Sequence, residues 1–304
     1  MALEQFNRTQ PAFRRLSNWL DNDAIAAWTL LSPALMLLGV FVVWPIGYLF
    51  FLSFTTGSFT RAGVHWYGLQ NYRRLLMDPD FWQVLGNTVY FTVGTVIPTL
   101  AIPLGLAVLL DRITALRGLL RTAYFIPAMT SLVAAGLGFR WLFQADGPVN
   151  GLLSGLGMAP IAWLSSPVWA MPVLILLSSW KQIGLNLMVF LAGVQTIPRS
   201  RLEAARLDGA GPWQQFWYII LPGLRPTLVF ASVTTVIFTL RSFEPVYVMT
   251  GGGPLNRTNI LVYYSYEQAF ALFDFGYAAA AATVLLTIAL LLVYVQIQVW
   301  DAPD

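Results

Sequence analysis

Long apolar runs separated by short polar segments dominate this chain. The runs cover about residues 24–54, 81–110, 119–143, 168–194, 221–249 and 275–300. Each run exceeds the roughly 20 residues that a helix needs to cross a bilayer, and a helix satisfies its own backbone hydrogen bonds there. The pattern therefore predicts an all-α integral membrane protein with six transmembrane helices, formed as a single domain over residues 1–304.

A polar, Arg-rich segment over about residues 196–221 separates the fourth and fifth runs. Pro198 can begin a short helix, Gly209 can end it in a left-handed cap, and Pro212 can start a second helix. Pro222 then opens the fifth apolar run, which would hold the segment at the membrane face. We expect two short helices joined by a bend, in a position where a bound partner protein could move them.

Composition supports the membrane assignment, because 57% of the residues are hydrophobic and only 10% are charged. Positions of arginine favour cytoplasmic N- and C-termini and a cytoplasmic polar segment, although Arg61, Arg73 and Arg74 fall in the first outer loop. The net charge of +3 reflects this topology and does not indicate nucleic-acid binding. The first 20 residues are polar and the run after them is too long for a signal-peptide core, so no cleaved leader is expected.

Several kinds of chemistry are excluded by residue types that the sequence lacks. Its single lysine, Lys181, lies in an apolar run, so no GxxxxGK[ST] phosphate loop exists and ATP must be bound by a separate chain. Because the chain has no cysteine and one histidine, His65, a His/Cys metal cluster is excluded. The glycine-rich stretch at residues 250–254 is interpreted as a tight turn that needs positive φ.

Four charged residues lie within apolar runs, where an ionised side chain is costly unless it has a partner or faces water. Arg140 lies near the end of the third run and can extend its guanidinium to the interface. Arg241 and Glu244 are three residues apart, so they can pair on one helix face, and they can equally line a cavity. Lys181 is the fourth of these residues.

Lys181 has polar and aromatic neighbours of the kind that a sugar-sized solute needs. Trp180 and Gln182 flank it, and Asn186 lies one helical turn further on. Such a group offers hydrogen bonds together with an apolar surface for stacking. We therefore interpret this part of the fourth run as a candidate solute-binding site.

Three motifs carry a resemblance to a known family. They are EAARLDGAGP at residues 203–212 with IILP at 219–222, TGGGP at 250–254, and YYSYEQAFALFDFGYAAAAA at 263–282. The chain resembles the permease subunits of ATP-binding-cassette (ABC) importers for carbohydrates, a group that includes the larger maltose permease subunit and the glycerol-phosphate permease subunit. This resemblance implies the type I ABC importer permease fold, with a coupling helix in the cytoplasmic segment.

The resemblance also implies a set of partners in the bacterial cytoplasmic (inner) membrane. A second homologous permease subunit would complete the pathway among membrane lipids. Two ATPase subunits would use ATP and Mg²⁺, and an extracytoplasmic solute-binding protein would deliver substrate. This chain would itself bind no cofactor and no metal. Its ATPase-coupling residues would be Arg201, Glu203, Ala204, Ala205, Asp208, Gly209 and Ala210.

Sugar-contacting positions of maltose-type relatives map, by the shared motifs, to the runs before and after the coupling segment. In this chain they are Lys181, Gln182, Leu185, Thr235, Thr239 and Ser242. The sequence departs from the maltose pattern, since Leu185 replaces a tyrosine-type platform and Thr239 and Ser242 replace asparagines. Together with the residues singled out above, the candidate substrate-binding set is Trp180, Lys181, Gln182, Leu185, Asn186, Thr235, Thr239, Arg241, Ser242 and Glu244.

Two substrate classes remain open. Lys181 and Arg241 could neutralise a phosphate, as in glycerol phosphate or a glycerophosphodiester. If Glu244 instead cancels the charge of Arg241, a neutral sugar, glycoside or polyol glycoside fits better. An ATP-independent secondary transporter or channel would also explain six spans, but it leaves the polar segment unexplained.

Overall fold

The computed structural model describes residues 23–56, 63, 65–112 and 117–301. The polar N-terminal segment, with the expectation of no cleaved leader, lies outside these residues. The described residues form two compact units, which are divided between Leu52 and Ser53. Helices, most of them apolar, make up most of the described chain, as the sequence predicts.

The first unit contains α1 (Asp23–Leu38), a π turn (Gly39–Val43) and most of α2 (Trp44–Ser53). The second unit opens with a two-stranded antiparallel ladder of β1 (Thr55–Thr56) and β2 (His65–Trp66). Its helices are α3 (Gln70–Met77), α4 (Pro79–Arg112), α5 (Arg117–Met129), α6 (Leu132–Leu142), α7 (Pro148–Gly155), α8 (Ala170–Thr196), α9 (Arg199–Leu207), α10 (Pro212–Gln215), a π turn (Phe216–Ile220), α11 (Leu221–Gly223), α12 (Arg225–Leu240), α13 (Glu244–Met249), α14 (Leu261–Phe270) and α15 (Phe275–Asp301).

Four stretches of helix are long and apolar enough to cross a membrane: Ala27–Ser53, Pro79–Asp111, Ala170–Thr196 and Phe275–Val299. They agree closely with the first, second, fourth and sixth predicted runs. Two bent pairs of helices, Thr122–Met129 with Leu132–Leu142 and Pro212–Gly223 with Arg225–Leu240, bring the number to six if each pair is one span.

The third apolar run is not the continuous helix that its hydrophobicity predicts. It breaks between α5 and α6 with a bend of 102°. Ser131, the residue before α6, has extended backbone angles of φ −60° and ψ 133°. Pro127 in the last turn of α5 contributes to the break, because a proline inside a helix lacks the N–H that would bond to the preceding turn.

The fifth apolar run also differs from the prediction, because it contains three helical pieces. Pro222 lies inside the Pro212–Gly223 segment and does not open a span. A bend of 71° separates this segment from α12, and Leu224 at the bend is fully buried. The α12 helix ends at Leu240, and α13 begins at Glu244 after a short break.

Helix α8 lies at the centre of the second unit, where it packs against α4, α5 and α12. Small residues permit these close approaches. A Cβ atom on Gly184 would lie 2.1 Å from the carbonyl oxygen of Tyr124, and one on Gly193 would lie 2.6 Å from the hydroxyl of Thr227. The apolar core around Leu187 and Phe190 fills the space between these contacts.

A polar cluster, here called the tyrosine clasp, joins the start of α4 to α14 and α15. It consists of Asp78, Tyr264 and Tyr277, whose two phenolic hydroxyls donate to the Asp78 carboxylate at 2.8 Å and 2.5 Å. Burial of the carboxylate acts to raise its pKa, but hydrogen bonds from Tyr277, Tyr264 and two backbone N–H groups outweigh that effect, and the pKa of Asp78 lies below its usual value. Arg74 adds an ion pair to Asp274 at 2.9 Å beside the clasp.

Candidate functional site

A cavity of about 350 Å³ lies where the break between α5 and α6 faces α8 and the break between α12 and α13. The wall combines polar, charged and apolar side chains: Ala128, Leu132, Ser178, Lys181, Gln182, Leu185, Phe238, Arg241, Ser242 and Glu244. A wall of this kind suits a small polar solute with an apolar face.

Six residues of the candidate substrate-binding set line this cavity: Lys181, Gln182, Leu185, Arg241, Ser242 and Glu244. The structure thus brings together residues from the fourth and fifth apolar runs. Their contact with a solute stays a prediction. Ala128, Leu132, Ser178 and Phe238 also line the cavity and were missed from the sequence, because apolar composition does not show which side chains a helix break turns toward a cavity.

The other four residues of the set point elsewhere. Asn186 and Thr235 are buried, and the Asn186 amide donates to the Thr235 hydroxyl at 2.9 Å and to the Thr99 carbonyl at 3.1 Å. Thr239 is fully buried and donates its hydroxyl to the Thr235 carbonyl at 2.8 Å. The Asn186 side chain therefore joins α8 to α4 and α12, whereas the Thr239 hydroxyl bonds within α12, and none of these three residues lines the cavity.

Trp180, the fourth of these residues, packs its ring on Phe139 with centroids 5.4 Å apart. It belongs to an apolar cluster of side chains from α4, α6, α8, α13, α14 and the segments between them. Its side chain faces away from the cavity wall. The proximity of Trp180 to Lys181 in sequence therefore does not place both residues at one site, since neighbours in a helix point in different directions.

Lys181 has a specific structural partner that the sequence did not reveal. Its ammonium donates to the carbonyl oxygens of Pro127 at 2.7 Å, Ala128 at 3.3 Å and Thr130. The last carbonyls of a helix have no partner within the helix, and a cation is favourable at that end. Lys181 therefore caps α5 at the break, and at the same time it forms part of the cavity wall.

Arg241 and Glu244 do not form the pair on one helix face that their spacing permits. They lie on opposite sides of the break between α12 and α13. Within the described chain, neither side chain takes part in an ion pair within 4.0 Å or in a hydrogen bond. Both line the cavity, which is the other arrangement that their spacing allows.

The predicted bend of the polar segment is present in the structure. Pro198 precedes α9, Gly209 has a φ of +84°, and Pro212 is the first residue of α10. After α9 the Ala210 N–H bonds back to the Ala205 carbonyl at 2.8 Å, which closes the turn. The two helical pieces are thus held at a fixed angle by a glycine conformation that other residues rarely adopt.

A surface recess of about 360 Å³ lies against this bend. Four of the candidate coupling residues line it: Ala205, Asp208, Gly209 and Ala210. Arg201, Glu203 and Ala204 are exposed on α9 but do not line the recess. Leu207 and Tyr218 nearby are 89% and 79% exposed.

Comparison with known proteins defines the class of this protein. Residues 88–303 match the family described as the inner membrane component of binding-protein-dependent transport systems. The sulfoquinovosyl glycerol transport system permease protein SmoG of Agrobacterium fabrum is 38% identical, with 87% of each chain covered. The lactose transport system permease protein LacF of Rhizobium radiobacter is 38% identical over 84% of this chain and 87% of the relative.

A solved structure identifies the fold of the chain. A chain of a bacterial ABC transporter involved in the import of the acidic polysaccharide alginate superposes with a TM-score of 0.80. The two chains are 23% identical, and 94% of this chain and 98% of the other are covered. The mostly helical second unit therefore has the type I ABC importer permease fold.

The chain belongs to the family of inner membrane components of binding-protein-dependent transport systems. It is a membrane-spanning permease subunit of an ABC importer, and its relatives are permeases of carbohydrate-uptake systems. The resemblance stated from the sequence motifs is thereby confirmed. As a permease subunit, the chain moves a solute and is not the ATPase of the system.

Proposed function

We propose that this chain is one half of the translocation pathway of an ATP-driven importer for a sugar, glycoside or polyol glycoside. The observation that carries the proposal is the cavity between the two helix breaks, which places amide, hydroxyl and charged groups beside Leu185 and Phe238. The relatives named for sulfoquinovosyl glycerol and lactose support a solute that contains a sugar. Gln182, Ser242 and the charged residues of the wall would contact it.

The assembly that this function requires contains four kinds of component. A second permease subunit would complete the pathway, two ATPase subunits would use ATP and Mg²⁺, and a binding protein would deliver the solute. A solved alginate transporter in complex with its periplasmic binding protein supports the last of these for a chain of the same fold. We place the chain in the bacterial inner membrane as a single permease domain with six spans, each bent pair counted as one, and with both termini in the cytoplasm.

Coupling to the ATPase is proposed to occur at the bend around Gly209. The exposed surface of α9, the recess beside Asp208 and the exposed Leu207 support this assignment. Arg201, Glu203, Ala204, Ala205 and Ala210 complete the proposed contact. An ATP-independent transporter or channel would have no use for such a surface.

A solute with a phosphate, such as glycerol phosphate or a glycerophosphodiester, is the second candidate. The specific observation in its favour is that Glu244 does not neutralise Arg241. The relative UgpA of Agrobacterium fabrum, named as an sn-glycerol-3-phosphate permease, is 33% identical over 84% of this chain.

The deciding experiment is the ATPase activity of the reconstituted complex with its binding protein, measured across sugars, polyol glycosides and glycerophosphodiesters. Stimulation by one solute class is expected, and Glu203→Ala should reduce it while the variant still inserts in the membrane. Arg140→Gln serves as a charge-removing control away from α9. An activity that is indifferent to every solute and to Glu203→Ala would reject the proposed function.

A further inference from the structure

The charges in the cavity wall are not equivalent. Its charged side chains are Lys181, Arg241 and Glu244. The Lys181 ammonium is surrounded by the carbonyl oxygens of Pro127, Ala128 and Thr130, which use its three N–H donors. The charge of Lys181 is therefore already solvated by the protein, and it is not available as the main partner of a solute.

Polar side chains near Arg241 also form hydrogen bonds within the chain. The Ser242 hydroxyl donates to the Phe238 carbonyl at 3.1 Å, and the Gln182 amide makes a long contact of 3.4 Å to the Ser178 carbonyl. Neither contact involves Arg241 or Glu244. In the part of the chain that the structure describes, no acceptor is supplied to the Arg241 guanidinium.

The short break between α12 and α13 explains why Arg241 and Glu244 stay apart. In a continuous helix, residues three apart are neighbours on one face. Here the Arg241 N–H closes the last turn of α12 by bonding to the Ile237 carbonyl at 3.2 Å, whereas Glu244 belongs to the first turn of α13. The helix is interrupted between them, and both side chains line the cavity without pairing.

An arginine in this setting is chemically selective. Its planar guanidinium presents a fork of N–H donors that matches the oxygens of a carboxylate, sulfonate or phosphate. An ionised side chain at membrane depth is costly unless it pairs or faces water, and a bound anion would pair it. A neutral solute would displace water from the guanidinium and would supply no counter-charge in its place.

We propose that the transported solute is a sugar derivative with an anionic substituent, and that Arg241 binds that substituent. Glu244 accepts hydrogen bonds from sugar hydroxyls on the other side of the break. This inference rests on the proposed function of sugar import, and it narrows the substrate class to acidic sugars or glycosides. It also assigns Arg241 as a specificity-determining residue, whereas Lys181 positions the break that shapes the cavity.

The test compares solutes that differ only in charge. Complex reconstituted with its binding protein is given a methyl glucoside, the corresponding glucuronide, and the glucoside carrying a sulfonate or a phosphate at C6. ATPase activity is measured against solute concentration for wild type, Arg241→Gln, Arg241→Lys and the control Arg140→Gln. Retention of the second permease subunit is measured for each variant on the same samples.

We expect at least one anionic solute to stimulate the ATPase activity and the neutral glucoside not to stimulate it. Arg241→Gln should raise the concentration for half-maximal stimulation by more than about tenfold, because a charge-assisted contact is lost. Arg241→Lys should recover part of this effect, and Arg140→Gln should match wild type.

Three results would overturn the inference, and they are distinguishable. Stimulation by the neutral glucoside alone would retain sugar import and reject the anionic substituent. Stimulation by an anionic solute that Arg241→Gln leaves unchanged would reject the role of Arg241. Loss of the second permease subunit in Arg241→Gln would assign the guanidinium to a subunit contact. A complex that no solute stimulates would instead reject the proposed function itself.

Discussion

Hydrogen bonds of single polar side chains hold the helices around the candidate site, and the apolar runs of the sequence do not predict them. Lys181 binds backbone carbonyls at the end of α5, and Asn186 ties α8 to α4 and α12 through Thr99 and Thr235. Both residues were selected from the sequence as solute contacts, since a polar side chain in an apolar run indicates function. The alternative, a polar group that satisfies the backbone of a neighbouring helix, depends on a helix break that hydrophobicity does not reveal.

Replacing Lys181 by methionine tests its role as a cap. The variant Lys181→Met should lower the free energy of unfolding by about 2 kcal/mol, because the carbonyls at the end of α5 lose a charged donor. Thermal unfolding of the detergent-solubilised protein should show a lower Tm. Gln182→Ala is the matched control, since the Gln182 amide makes only a long contact of 3.4 Å, and its Tm should stay near that of wild type. Equal Tm values for the two variants would contradict the capping role.

The tyrosine clasp gives a prediction about pH. The pKa of Asp78 in the folded protein lies below the usual 3.8, so the clasp stabilises the fold above that pH. This contribution is lost as the pH falls through the folded-state pKa. Asp78→Asn should therefore lower the Tm at about pH 7, and its Tm should fall less than that of wild type on acidification to about pH 3.

Asp80→Asn is the control for the clasp, because Asp80 is an exposed carboxylate two residues away. Its removal should leave the acid dependence of the Tm unchanged. If Asp78→Asn and wild type lose stability in parallel between neutral and acidic pH, the clasp does not depend on an ionised Asp78.

Among the elements, the bounds of the continuous helices were predicted well, but apolar composition alone did not give the breaks. The second, fourth and sixth runs correspond to α4, α8 and α15 within about two residues at each end, within the usual spread of helix boundaries. The third and fifth runs are also apolar, yet they bend near Ser131 and Leu224, and the fifth run is interrupted again between Leu240 and Glu244. Apolar composition reports the passage through a membrane and not the direction of the chain, so the cavity between the breaks could not be located from the sequence.

The bend between α9 and α10 is an element that local sequence did predict. Gly209 has a φ of +84° and open space around a built Cβ atom, so a side chain there causes backbone strain without a clash. Gly209→Ala should therefore cost about 1 kcal/mol at the bend and reduce solute-stimulated ATPase activity of the complex. Gly211→Ala is the control, since Gly211 has an ordinary φ of −68°. Similar activities in both variants would show that the angle of this bend is unimportant.

For the whole molecule, the absence of cysteine makes solvent access to the cavity measurable. Leu185 in the cavity wall is 44% exposed, whereas Thr239 is fully buried on the facing helix. In the assembled complex, Leu185→Cys should react with a water-soluble maleimide, and Thr239→Cys should be protected. The rate at Leu185→Cys should change between nucleotide-free and ATP-bound complex if the cavity lies on the alternating pathway. Equal protection of both cysteines in every state would exclude the cavity from that pathway.

The bend at Leu224 has a mechanical consequence. Leu224 is fully buried between the Pro212–Gly223 segment and α12, and Gly193 of α8 lies so close that an added Cβ would be 2.8 Å from a Leu224 methyl group. The bend at Leu224 can thus act as a pivot for α12. This helix has 16 residues and is about 24 Å long. A tilt of only about 5° applied at the Pro212–Gly223 end would swing the far end of the helix by about 2 Å. Arg241 and Ser242 follow directly after that far end, so a small rocking motion near the proposed coupling surface would be enough to widen or narrow the cavity that they line.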